Sequence, residues 1–223
     1  MRWDDLFNDL EAQLERESTA DETDLRAEEE RLRLARLGLR DRLLSVHASS
    51  GSGSGSGSGR GRDPDRGAVS GPGSGLSDRG DDVLRLTLRD GSLVAVTPST
   101  FGRDWFTGDL QREGSGTTPC VVPLAGIASV ALTRAQVYRS LAPEEGERSL
   151  SARLGLGFLL RDLCRRRTPL ALQLVSGTVH GTIDRVGRDH CDLAVHDAGG
   201  IRRESLVTEF RVVPFSELLL VRL

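Results

Sequence analysis

The sequence predicts an α+β chain: N-terminal helices, a flexible linker, then two tandem small β-barrels joined by a helix. Three observations carry this. Apolar residues recur at helical spacing before residue 47, a Gly/Ser tract occupies 48–80, and one pattern of short strands is written twice after it. The expected segments are a helical arm at 1–47, a disordered linker at 48–80, a first barrel at 81–133, a connecting segment with a helix at 134–168, and a second barrel at 169–223.

In the arm, Trp3, Leu6, Phe7, Leu10 and Leu14 keep helical spacing, with Asp4 and Asp5 in the first turn where the helix dipole favours acids. After a polar break, Leu25, Leu32, Leu39 and Val46 recur at seven-residue steps, supported by the pairs Glu22–Arg26 and Glu29–Arg33. Two readings are open. One is a helical hairpin, or a helix packed on the barrels. The other is a coiled coil through which copies of the chain associate, and Glu28 and Arg42 at its second apolar position favour the first. The linker alternates Ser and Gly from Ser50 to Gly59 and cannot build a core.

The repeat opens Leu84-Arg85-Leu86-Thr87-Leu88 and again Leu170-Ala171-Leu172-Gln173-Leu174, each with period two and each followed by a hairpin signal, Asp90-Gly91 or Ser176-Gly177. Each copy continues through a strand to Gly-Arg-Asp, at 102–104 and 187–189, and into a third strand, Trp105–Leu110 or His190–His196. Each closes on Val-Val-Pro, at 121–123 and 212–214, with Ile127 and Val130 or Leu218 and Val221 at identical spacing beyond it. Proline cannot donate to a ladder, so it marks a strand end before the last strand. Between the copies, 149–167 reads as a helix with Leu150, Leu154, Phe158, Leu159 and Leu163 apolar, stopped by Pro169.

Five short strands ending strand–turn–strand are similar to SH3-like barrels, the Sm-like kind included. The second copy resembles an Sm-like barrel from Leu174-Val175-Ser176-Gly177 through Gly181 to Asp189 and Leu193, which implies RNA binding or ring assembly. Its Val-Pro ending is equally similar to PRC-type barrels. Outside 48–80, the chain resembles an uncharacterised family of high-GC Gram-positive bacteria. The residues that carry this are Met1-Arg2-Trp3-Asp4-Asp5-Leu6-Phe7, Asp9-Leu10-Glu11, Arg153-Leu154-Gly155-Leu156, Asp184-Arg185-Val186-Gly187 and Val213-Pro214. Some members of that family carry the name Fis-family transcriptional regulator. Fis proteins end in a helix-turn-helix, whereas this chain is read as ending in strands.

Charge and composition bound the function. The formal net charge is −3, and all 30 basic residues are arginine, as a GC-rich coding bias would give. Residues 1–46 hold 13 acids against 8 arginines, and the rest holds 20 against 22, so no segment is basic enough to announce nucleic acid. Three scattered cysteines, Cys120, Cys164 and Cys191, without any CxxC pair, argue against a disulfide framework or a zinc ribbon. The acidic start lacks a signal-peptide core and no apolar run is long enough to span a bilayer, so a cytoplasmic location and no membrane partner are expected.

The glycines of 48–80 have neither the strand nor the lysine of a phosphate loop. His180, Asp189, His190, Cys191, Asp192 and His196 form the one polar cluster, but strand alternation divides them between two faces, so they read as exposed strand residues and no metal is expected. Asp104 and Asp189 read as turn residues. No catalytic residue and no cofactor is expected. Two function classes remain: a non-catalytic protein-interaction or scaffold protein, and alternatively a nucleic-acid-binding regulator. Candidate nucleic-acid contacts are Arg165, Arg166 and Arg167 at the end of the connecting helix with Arg202 and Arg203 in a later loop.

Overall fold

The computed structural model describes residues 22, 24–51, 82–112, 114, 116–142, 150–198 and 203–223. The expectations for Trp3 to Leu14, and for the linker beyond residue 51, lie outside them. Residues 1–38 and 39–223 separate into two units.

In the first unit, residues 24–36 are helical (α1). Arg33 donates to Glu30 at 2.6 and 2.7 Å, and that hydrogen bond holds the Glu30 carboxyl below its ordinary value. Leu25 and Leu32 are exposed. The second unit opens with α2 (Leu39–Gly51), which extends past the boundary expected at residue 48. Of the two heptad positions on α2, Leu39 is exposed and Val46 is buried.

Strands form where the alternation places them. The first copy of the repeat contributes β1 (Leu84–Leu88), β2 (Leu93–Phe101), β3 (Trp105–Gln111), β4 (Thr117–Pro123) and β5 (Ile127–Ala131). The second contributes β6 (Pro169–Leu174), β7 (Gly177–Val186), β8 (His190–Val195), β9 (Glu209–Pro214) and β10 (Leu218–Arg222). Leu84, Leu86 and Leu88 are buried, as are their counterparts Leu170, Leu172 and Leu174. Gly91 and Gly177 supply the positive φ of the two hairpin turns, 83° and 128°. After each Val-Val-Pro, a single 3-10 turn, Leu124–Gly126 or Phe215–Glu217, leads into the final strand.

The repeat extends to register. Leu86 lies opposite Val130 and Leu172 opposite Val221, while Trp105 lies opposite Pro123 and His190 opposite Pro214. Both copies carry a bulge at one equivalent place, between Pro98 and Thr100 and between Ile183 and Arg185. The Gly-Arg-Asp turns also match. Gly102 N–H donates to Trp105 and Gly187 N–H to His190, both at 2.8 Å. In each, the ring three residues on lies over the glycine, so a Cβ would sit 2.2 Å from the Trp105 indole or 2.5 Å from the His190 imidazole.

Two joined barrels are nevertheless not what these strands make. All ten form one open antiparallel sheet in the order β5-β1-β2-β3-β4-β10-β6-β7-β8-β9. Closing a five-stranded barrel requires its fourth strand to return to its fifth. Instead β4 pairs with β10 of the other copy, with Val121 opposite Val221 and Cys120 opposite Arg222, and the sheet ends at β5 and β9. Alternation and turn chemistry specify hairpins, but either strand could satisfy the outer edge of β4, and only the long-range pairing decides.

The two cores interlock at this joint. The core of the first copy includes Leu86, Phe101 and Phe106, with Leu43 and Val46 of α2, and it takes in Leu219 and Leu220 from β10. The core of the second includes Leu172, Ile183 and Leu193, with Leu156, Leu160 and Leu163 of α4 (Leu156–Arg166), and it takes in Trp105 and Val121. The expected connecting helix thus begins at Leu156 and not at 149, after a 3-10 turn at Leu150–Arg153, and Phe158 and Leu150 are exposed. Its cap comes from the first copy: Asp104 Oδ1 accepts from Leu156 N–H at 2.8 Å. A further helix, α3 (Arg134–Ser140), starts on a capping box in which Thr133 and Gln136 satisfy each other's backbone N–H groups.

Because Leu86 and Leu172 are equivalent, fully buried positions, Leu86→Ala and Leu172→Ala should each cost about 2–5 kcal/mol. Denaturant melts of the two variants check this, and a loss under about 1 kcal/mol in either would contradict the shared register.

Candidate functional site

The sequence-predicted arginines are largely neutralised. Arg165 and Arg166 both bind Asp162, at 2.5 and 2.6 Å, and the Arg166 hydrogen bond, with Arg165 beside it, holds the Asp162 carboxyl below its ordinary value. Arg167 caps α4 in a left-handed conformation and reaches Asp184 of β7 at 3.2 Å. Arg203 is exposed before the 3-10 turn Glu204–Leu206 that precedes β9, and Arg202 lies outside the described residues. Strand β8 separates β7, where Arg167 is paired, from β9.

The polar cluster of the second copy is also dispersed. Cys191 is in the core. His190 Nδ1 and Asp189 Oδ1 lie 2.9 Å apart at the surface. His196, expected at the surface, is buried: its Nδ1 meets the Asp197 carbonyl at 3.0 Å, which requires a donor there, and its Nε2 meets the Thr182 hydroxyl at 2.9 Å. Among the described residues no three His, Cys, Asp or Glu side chains form a metal-holding group. Burial pushes the Cys120 thiol up to about 11 and the Cys191 thiol up to about 12.

The feature that sequence reasoning missed is the outer edge of β9. One side of this strand pairs with β8 from His190–Pro214 to Val195–Glu209, and the other side is the end of the sheet. Val213 points into the core, so Phe210 and Val212 point the opposite way. They are 66% and 68% exposed. Beside them a groove of about 330 Å³ is lined by Asp184, Arg185, Asp192, Phe210, Arg211 and Val212. Glu209 and Arg211 bind each other at 2.6 Å on the same strand. Among the described residues no strand pairs with this edge, so it offers backbone groups flanked by an aromatic and a β-branched side chain, the chemistry that receives an added strand.

No family model matches the chain, and no curated protein or solved structure matches it.

The opposite end of the sheet differs. On β5, Ala128, Ser129 and Ala131 are exposed and small. The alternation of Phe210 and Val212 was visible in the sequence, but their exposure depends on which strand ends the sheet. No helix among the described residues is long and apolar enough to cross a membrane.

The raised thiols give a test of the cores. With both thiols protonated when folded, the stability they carry is full below the ordinary thiol value and is lost as pH climbs toward about 11. Iodoacetamide at about pH 8 should label neither Cys120 nor Cys191 in the native protein, and should label both after denaturation, as read by peptide mass spectrometry. Native labelling of Cys191 as fast as that of half-buried Cys164 would contradict this packing.

Proposed function

We propose that the chain is a non-catalytic protein-interaction or scaffold protein that works through the free edge of β9. The observation that carries this is the joint exposure of Phe210 and Val212 on a terminal strand whose outer backbone edge has no partner strand among the described residues. Sheet edges in stable proteins are usually short, charged, bulged or covered, and an edge bearing exposed apolar side chains is a contact surface. The protein-interaction reading is favoured over nucleic acid because the three helix arginines face Asp162 and Asp184, which leaves that helix end only weakly positive.

Two measurements test it. A photo-crosslinking residue at position 210 of the full chain, expressed in cells, should give protein adducts that the same residue at exposed Leu93 does not. Equal adduct formation at both positions would overturn the reading. In anisotropy titrations against single-stranded RNA and duplex DNA, replacing Arg165, Arg166 and Arg167 together with alanine should leave the salt dependence unchanged. A slope reduced by about three phosphate contacts would favour the nucleic-acid regulator instead.

A further inference from the structure

The chain contains its own example of what fits such an edge. By the repeat, β9 is the counterpart of β4 and β5 the counterpart of β10: Val121-Val122-Pro123 matches Val212-Val213-Pro214, and Ile127 and Val130 match Leu218 and Val221. Inside the chain β4 and β10 pair antiparallel. The two strands left at the ends of the sheet, β9 and β5, are thus the same two kinds of strand, each without its complement among the described residues. We infer that the occupant of the β9 edge is the β5 edge of a second copy of this chain, added antiparallel in the register of the internal joint. This rests on the reading of β9 as an interaction edge and names its partner.

Three observations support that occupant. First, Val121 faces away from the core of its own copy yet is only 1% exposed, because it enters the core of the other. Val212 faces the same way at the equivalent position and is 68% exposed. The internal register sets Val212 opposite Val130 of the second copy, as Val121 lies opposite Val221. Second, at one pair of the joint the bulky residue changes strands. At the internal joint the large Arg222 of β10 lies opposite the small Cys120 of β4. At the free ends the counterpart of Arg222 is the small Ala131 on β5, and the counterpart of Cys120 is the large Arg211 on β9. Arg222 opposite Cys120 becomes Ala131 opposite Arg211.

Third, the two copies already make such an exchange inside the sheet. A Cβ on Gly108 would come within 2.8 Å of Val96, and one on Gly181 within 3.1 Å of Leu193. Gly108 is the counterpart of Leu193 and Val96 of Gly181, so at one site the glycine has changed strands while the pair stayed complementary. A β9-to-β5 contact is heterologous, so a pair of copies keeps one free β5 edge and one free β9 edge between them and assembly proceeds beyond a dimer.

Sedimentation velocity of the purified full chain over a range of concentrations tests the inference. The expected result is concentration-dependent species larger than a dimer. Ala131→Arg, which sets a second guanidinium against Arg211, should raise the association midpoint about tenfold, and adding Arg211→Glu should restore it. The exposed double variant Phe210→Glu/Val212→Glu should abolish association, and mixed with Ala131→Arg/Ala128→Glu it should give only a one-to-one pair. A dimer lost with the β9 variant but indifferent to the β5 variants would mean β9 pairs with itself, and would overturn the inference. So would assembly that survives both sets of variants. A chain monomeric at every concentration overturns it too. In that case adducts to other proteins from position 210 would leave the β9 edge an interaction site, and their absence would remove that reading as well.

Discussion

The pairing of β4 with β10 is the constraint on which the rest of this structure depends. It is short, with two residue pairs in register, continued by Leu223 N–H donating to the Pro119 carbonyl at 3.0 Å. Its weight lies in what crosses it. Leu219 and Leu220 fill the first core, and Trp105 and Val121 fill the second, so neither core is complete with its own copy alone. Dispersion and apolar burial act over short contacts, and removing either copy would leave voids in the other.

Polar contacts follow the same seam. The first hairpin turn is held against the second copy by Gln173, which donates to Asp90 at 2.7 Å and to Ser92 at 2.9 Å, and by Arg89, which donates to the Ser216 carbonyl. Hydrogen bonds from Ser92 and Gln173 keep the Asp90 carboxyl below its ordinary value. On the other side, Trp105 Nε1 and Arg103 N–H both donate to the Leu154 carbonyl at 3.0 Å, while Asp104 caps α4. One Gly-Arg-Asp-Trp turn thus anchors the segment between the copies. In its counterpart, Gly-Arg-Asp-His, His190 turns to Asp189 instead.

What the sequence made legible was local. Period-two alternation located the strands, and Val-Val-Pro located their ends, because both depend on backbone chemistry within a few residues. Closure was not legible. Val121 and Val212 sit in the same tripeptide, yet one is buried and the other exposed, since a single strand from the distant C-terminus covers only the first. The same limit hid the job of Asp104, whose turn was recognised but whose cap lies 52 residues on. Helix α3 did have a local signal, Thr133-x-x-Gln136, and its shortness masked it beside the longer connecting helix. The arginine run at 165–167 was visible as charge, but Asp184, which pairs with Arg167, is 17 residues away. His196 looked like a surface residue by alternation, and the Thr182 hydroxyl is what makes its burial tolerable.

A sheet that joins its copies edge to edge leaves two ends by construction, and the physical question is what those ends cost. The outer backbone edge of β5, without a partner strand among the described residues, is flanked by Ala and Ser, which add little apolar surface to water. At β9 the flanking residues are Phe and Val, and burying a side chain of that kind is worth about 1.5–3 kcal/mol relative to exposure. Glu209 and Arg211 bind each other along the strand and so do not obstruct an incoming backbone by like charge. Pro214 limits the edge at one end only, because it lacks an N–H. The asymmetry between a bulky apolar end and a small-residue end therefore distinguishes the two termini of the sheet chemically, although the repeat makes them equivalent to the partners in the internal joint. A contact that uses β9 gains from that difference, and one made through β5 alone does not.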